Sequence, residues 1–173
     1  MADNAPGLKV ELHFPVPQLR ISQIEARDRT AAFRKTDLSA IVREVVELFE
    51  PAAEERAVRL QLSAGEAVFV VGDRDLLFDA ISNLVDNAIK HGGDQGDVGI
   101  VVAQGVGGPV LSISDRGPGI PNEECKHVLR RFYRLEGSRS SPGNGLGLSL
   151  VAAASMPDHL ESHEGIGVHD TNR

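Results

Sequence analysis

The sequence predicts an α+β protein, a two-layer sandwich in which one mixed sheet is covered by helices on one face. Three observations carry that expectation. Residues 38–49 and 76–89 place apolar side chains three and four apart, the period of a helix with one buried face. Several short stretches between them alternate apolar and polar residues, or run apolar between turn formers, as half-buried strands do. The chain has 173 residues, which suits one main domain with appendages and is long enough to bury a core.

In order, Leu8-Lys-Val-Glu-Leu-His-Phe14 alternates with period two and reads as a strand, ended by Pro15 and Pro17. Residues 19–29 predict a short helix, with Leu19, Ile21 and Ile24 on or near one side. Thr36 or Asp37 can cap the next helix, whose apolar stripe is Leu38, Ile41, Val42, Val45, Val46 and Phe49. Pro51 falls inside this pattern and predicts a kink or a restart. Val58–Leu62 and Ala67–Val71 read as strands. Asp73 or Asp75 starts a helix through Leu76, Leu77, Ala80, Ile81, Leu84, Val85, Ala88 and Ile89, stopped by Gly92 and Gly93. Strands follow at about 97–103 and 109–114, joined through Gly105, Gly107 and Gly108. Residues 115–145 read mostly as loop with a short helix near 122–130, and a last helix begins near Asn144 and is interrupted by Pro157.

Composition narrows the function classes. With 41% hydrophobic and 25% charged residues the chain reads as an ordinary globular protein, and with no Trp, one Tyr and six Phe its core must be mostly aliphatic. A net charge of −7 argues against sequence-independent nucleic-acid binding, which needs a basic surface. An anionic ligand would have to be held by local Lys, Arg, backbone N–H groups and a divalent metal. The single Cys125 suits a reducing cytosol, no apolar run approaches membrane-spanning length, and the N-terminus lacks a basic-then-apolar signal. A cytoplasmic location without direct membrane insertion is the expectation.

Four motifs follow one another between residues 79 and 148. In Asp79-Ala-Ile-Ser-Asn83-Leu-Val-Asp-Asn87-Ala-Ile-Lys90-His91, the residues Asn83, Asn87 and Lys90 stand at i, i+4 and i+7, one polar stripe beside the apolar one. Taken alone, that stripe is an ordinary solvated helix face. Asp115-Arg-Gly117-Pro-Gly119-Ile120 begins at a strand end, where a carboxylate can accept from the exocyclic amine of adenine. An ionised Asp115 would discriminate against guanine, which presents a carbonyl there. Gly117 and Gly119 let the backbone turn tightly and approach the base. Arg131-Phe-Tyr-Arg134 comes third. Gly143-Asn-Gly145-Leu-Gly147-Leu148 opens the last helix, where free N–H groups and the helix dipole suit polyphosphate. It is neither a Walker A loop nor a Rossmann fingerprint.

Together these motifs resemble the N, G1, F and G2 boxes of the ATP-binding domain of bacterial sensor histidine kinases, within the GHKL (Bergerat-type) ATPase group. The resemblance covers roughly residues 19–153. It implies ATP and Mg²⁺ as cofactors, with Asn87 as the amide-oxygen ligand of the ion and Asn83 as a second candidate ligand. It implies that Lys90 reaches a phosphate oxygen, while His91 sits beside the nucleotide or caps its helix. The Arg-, Ser- and Gly-rich stretch 134–144 looks like the family's mobile lid, with Arg134 and Arg139 as candidate phosphate contacts. Phe132 and Tyr133 are read as packing the lid base, with Tyr133 kept among the candidate nucleotide-site residues. Ile120, Leu146 and Leu148 complete that set with Asp115, Gly117, Gly119, Gly143, Gly145 and Gly147.

The resemblance also separates kinase from hydrolase. Gyrase-type and chaperone-type members carry a general-base glutamate four residues before the Mg²⁺ asparagine. Here Asn83 stands in that place, and an amide accepts no proton at neutral pH. Phosphoryl transfer is thereby favoured, yet none of the six histidines (13, 91, 127, 159, 163 and 169) lies in a phosphoacceptor context. The implied partner is a separate dimerisation and histidine phosphotransfer domain and, through it, a response regulator, in a parent kinase that can be membrane-anchored. A nucleotide-binding or regulatory module without turnover and an anti-sigma-type protein-serine kinase are the alternatives.

The ends depart from the family pattern. Residues 3–15 look like the family's closing strand, whereas 155–173 offer no clean alternating strand and read as an atypical, frayed tail. The expected organisation is a closing-strand segment at 1–17, a remnant of the phosphoacceptor-domain helix and linker at 18–36, the ATP-binding domain at 37–154 and the tail at 155–173. A circular permutation or other rearrangement, with residues 8–14 filling the closing slot, accounts for this order. A homodimer formed by strand exchange is its rival.

Overall fold

The computed structural model describes residues 7–14, 34–92, 96–117 and 166–170. They form β1 (Leu8–His13), β2 (Arg34–Asp37), α1 (Leu38–Glu55), β3 (Arg59–Ala64), β4 (Phe69–Gly72), α2 (Arg74–His91), β5 (Asp97–Gly105), β6 (Gly108–Ser114) and β7 (Ile166–Asp170). Five strands make one sheet in the order β3-β5-β6-β1-β7, and β2 pairs with β4 in a separate two-stranded sheet. β3 and β5 run parallel and the other neighbours antiparallel, so the main sheet is mixed.

Register explains the alternation seen in the sequence. Leu62, Ile100, Ile113 and Val10 form one row across β3, β5, β6 and β1, and Ala64, Val102, Leu111 and Leu12 form the next. These residues, with Val98, make the floor of the core. Lys9, Glu11 and His13 occupy the alternate positions of β1, and Lys9 and Glu11 join there in an ion pair of 2.7 Å. A slip of one residue would turn every apolar row out of the core, which is why such a pattern specifies pairing.

Both helices cover that floor with one face. α1 buries Leu38, Ile41, Val42, Val45 and Ala53, and α2 buries Leu77, Ala80, Ile81, Leu84, Val85, Ala88 and Ile89. Each starts at an aspartate. Asp37 accepts from Ala40 N–H at 3.1 Å, and Asp73 accepts from Asp75 and Leu76 N–H at 2.9 and 3.2 Å. The buried Ser39 Oγ accepts from Val68 N–H at 3.1 Å, and Leu38 N–H donates to Val68 O at 2.8 Å, so α1 is pinned to the entry of β4.

Several expectations shift. Pro51 causes no restart: α1 is one element to Glu55, with Pro51 exposed. Arg34–Asp37, expected partly as linker, forms β2, because pairing with β4 supplies the ladder that its polar sequence does not advertise. The tail contains β7, whose pairing with β1 is also invisible to local pattern. β1 pairs within the chain on both sides, with β6 and β7. The expected helices at 19–29, near 122–130 and from Asn144 lie outside the described residues. Among the described residues no helix is long and apolar enough to cross a membrane.

Candidate functional site

Two of the four motifs meet where α2 ends and β6 runs into its following loop. α2 turns its apolar stripe to the sheet, which leaves Asn83, Asn87, Lys90 and His91 exposed on the other side. Asn83 Nδ2 donates to Asp79 O at 2.8 Å along the helix. Lys90 Nζ pairs with Asp86 Oδ2 at 2.5 Å, an i, i+4 contact on the same helix. Lys90 and His91 lie in the last turn, where positive charge complements the helix dipole.

The loop approaches that helix end so closely that only glycine fits. A Cβ on Gly117 would stand 2.1 Å from His91 O, and one on Gly92 would stand 2.3 Å from Ala88 O and 3.0 Å from Asp115 Cβ. Such distances are far inside van der Waals contact, so the two glycines set how near Asp115 comes to α2.

Asp115 is half-buried and held from two directions. Its N–H donates to Leu8 O at 2.9 Å. Its Oδ1 accepts from Gly117 N–H at 2.8 Å and from Leu8 N–H at 3.4 Å. Both side-chain bonds fall on Oδ1, and among the described residues none is made to Oδ2. Burial pushes the carboxyl above the usual aspartate range, while the N–H groups of Gly117 and Leu8 and the nearby His91 restrain the rise. The neighbouring Arg116 reaches Asp97 Oδ2 at 3.6 Å, and Asp97 Oδ1 accepts from Arg59 Nε at 2.8 Å, which ties the loop to β5 and β3.

The structure places Asn83, Asn87, Lys90 and His91 on the exposed side of α2, and Asp115 and Gly117 against the His91–Gly92 end of that helix. Gly119, Ile120, Tyr133, Arg134, Arg139, Gly143, Gly145, Leu146, Gly147 and Leu148 lie outside the described residues. Two contributors were not singled out from sequence. Gly92 read only as a helix stop, although a Cβ there would also stand 3.0 Å from Asp115 Cβ. Leu8 read only as a strand residue, because a contact spanning 107 positions has no local signal.

Chemically, α2 offers exposed amide oxygens and an ammonium group, and the loop at its end offers a carboxylate oxygen. Amide oxygens are hard donors of the kind Mg²⁺ accepts together with water and phosphate oxygens. A half-buried carboxylate next to a backbone that carries no side chain suits a flat base bearing an amino group.

Known proteins resemble the chain in sequence and in fold. Over 135 residues the chain is 33% identical to the sensor-like histidine kinase SenX3 of Mycolicibacterium smegmatis, which is 77% of this chain and 35% of that protein. The chain spans about a third of the length of such curated relatives. Among solved structures, the mycobacterial sensor histidine kinase MprB superposes with a TM-score of 0.60 at 31% identity, covering 70% of this chain and 76% of that one. The catalytic domain of the histidine kinase ThkA gives the same TM-score, 0.60, at 28% identity, covering 70% and 78%. The model of the family described as histidine kinase-, DNA gyrase B- and HSP90-like ATPases matches residues 72–167, more than half of the chain. The region from α2 through the loop after β6 lies within that match, and the chain belongs to the HATPase_c family of histidine kinase-like ATPases.

Proposed function

We propose that the chain is the Mg-ATP-binding catalytic module of a sensor histidine kinase, delivering the γ-phosphate of ATP to a histidine on a separate dimerisation and phosphotransfer domain. The observation that carries this reading is the glycine-only junction between His91 and Gly117, which sets Asp115 against the end of α2, the helix that carries Asn83, Asn87 and Lys90 on its exposed side. Asp115 Oδ2 accepts the amino group of adenine, and the bare backbone at Gly117 lies against the base. Asn87, with Asn83 as a second donor, would hold a magnesium ion, which would supply charge to offset that of the phosphates. Lys90 exchanges Asp86 for a phosphate oxygen. Arg134, Arg139 and the glycines 143, 145 and 147 remain candidate phosphate contacts on the sequence reading alone.

Asn83 supports transfer over hydrolysis, because a neutral amide cannot take a proton from water. The histidine acceptor, and through it a response regulator, comes from outside this segment. We place the module on the cytoplasmic side of a parent protein that can be membrane-anchored. The in-chain pairing of β1 with β6 and β7 supports reading residues 8–14 as a closing strand moved to the front of the chain.

The test is an ATP-analogue titration with and without Mg²⁺. Asn87→Ala should weaken Mg-dependent binding by about tenfold or more, the size of one lost contact to a charged group, and leave Mg-free binding unchanged. Equal affinity in Mg²⁺ would refute the ligand role. Adding a phosphoacceptor domain with labelled ATP should then yield acid-labile phosphate on its histidine.

A further inference from the structure

We propose that Leu8 on β1 is a positioning residue of the nucleotide site, whose main-chain N–H and C=O clamp Asp115 and so fix where its second carboxylate oxygen points. The inference rests on the nucleotide reading above and adds a distant strand to the site.

The geometry is a two-point grip on one residue. Leu8 O accepts from Asp115 N–H at 2.9 Å, and Leu8 N–H donates to Asp115 Oδ1 at 3.4 Å. β1 and β6 are in register with Lys9 opposite Ser114, so Leu8 lies one step past the last rung, where the ladder gives way to the loop. Gly117 N–H holds the same oxygen from the loop side at 2.8 Å. With Oδ1 held by two donors, rotation of the carboxylate is restricted and Oδ2 is left as the acceptor.

The grip is itself anchored. Val10, Leu12 and Phe14 are buried in the core, and Phe14 N–H donates to Pro109 O at 2.9 Å. On its other side β1 pairs with β7, where Leu8 stands opposite Asp170. The strand therefore cannot shift along β6 without breaking two ladders and exposing those side chains.

The charged groups around Asp115 do not replace the clamp. His91 comes from the end of α2, Arg116 reaches Asp97 on β5, and Lys9 on β1 pairs with Glu11. Among the described residues none of them forms a hydrogen bond to the Asp115 carboxylate. Docking of the N-terminal strand and nucleotide binding are coupled through this one residue.

The test uses the full chain with the Leu8 amide replaced by an ester, which removes the N–H and keeps the side chain. Leu8→Pro is the genetic equivalent, tolerable at the first residue of a strand, and Leu8→Val keeps the donor. Two readouts are needed: the Asp115 carboxyl titration followed by ¹³C NMR without nucleotide, and ATP-analogue affinity across pH. In the ester and proline chains the Asp115 midpoint should rise, and affinity at neutral pH should fall by about fivefold, as for a long hydrogen bond to a charged group. Leu8→Val should restore the wild-type midpoint.

An unmoved midpoint in an ester chain whose amide exchange still shows β1 paired to β6 overturns the proposal. So does a loss of thermal stability and affinity together with an unmoved midpoint, since that is what a merely structural strand would give. A wild-type chain that binds no analogue overturns the nucleotide reading instead, while the midpoint still reports on the clamp.

Discussion

The two helices begin alike and end differently. Both run for 18 residues, both are capped by an aspartate, and both lay an apolar stripe on the sheet. α1 closes on itself. Ala57 N–H donates to Glu54 O at 3.0 Å and Val58 N–H to Ala53 O at 2.9 Å, a Schellman-type finish with Ala57 at a φ of 55°. The chain then passes straight into β3. At the end of α2, Gly92 N–H donates to Ala88 O at 2.8 Å, and the loop after β6 packs against His91 and Gly92. A helix end sealed by its own next residues does structural work only. A helix end approached by a remote loop at a glycine can become a site.

The comparison breaks most visibly at Gly117. Gly117→Ala puts a carbon 2.1 Å from His91 O. It should push the loop off α2, abolish measurable ATP-analogue binding and cost about 1–3 kcal/mol of stability, the range for overpacking. A titration beside a denaturant melt checks both. Wild-type affinity in Gly117→Ala would mean that the junction does not set the site.

Next in size is Asp115. In Asp115→Asn, Oδ1 can still accept from Gly117 and Leu8, but an amide donor then faces the base amine where Oδ2 accepted. Binding should fall by about tenfold or more, as for a hydrogen bond to a charged group. The fold should be as stable as wild type, or more so, at neutral pH. The pH dependence has opposite signs for fold and ligand. Because burial raises the folded pKa of Asp115 above the ordinary value of about 3.9, this group's contribution to stability is fully present below that ordinary value. It is lost as pH rises through the raised value. Nucleotide affinity should move the other way, weakening as pH falls through the raised value and Oδ2 takes a proton. Titrations from neutral to mildly acid pH, paired with melts, read both; matching trends would remove Asp115 from the base contact.

At the closed end of α1 the effects should be small and confined to stability. Ala57→Gly relieves a left-handed backbone in a residue with a Cβ and should stabilise the fold by about 0.5–1 kcal/mol. ATP-analogue affinity should not change. A shift in affinity would show that the two helix ends are coupled.

Much of this was legible beforehand because helices and strands follow short periods. Leu77, Ala80, Ile81, Leu84, Val85, Ala88 and Ile89 announced the buried face of α2, and the same spacing predicted that Asn83, Asn87 and Lys90 would stand clear of it. The helix starts were narrowed to Thr36 or Asp37 and to Asp73 or Asp75, whose residue types suit unpaired N–H groups, and the structure selects Asp37 and Asp73. β2 and β7 were not legible. Arg-Lys-Thr-Asp and Ile-Gly-Val-His-Asp carry little alternation of their own, and their strand character comes from neighbours far along the chain. The ion pair of Lys90 with Asp86 was overlooked, although its i, i+4 spacing is a local signal.

By itself the sequence determined α1, α2, β1, β3, β4, β5 and β6 as elements, the buried faces of the helices, the order of the motifs and Gly117 as a point of close approach. All of these depend on stereochemistry and on spacings of a few residues. Tertiary structure alone decided which strands neighbour one another, and with that how Asp115 is held. The contact from Leu8 to Asp115 spans 107 positions and uses only main-chain groups on the Leu8 side. The Leu8 side chain does not encode it, and it exists only once the apolar rows of β1 and β6 have locked their register.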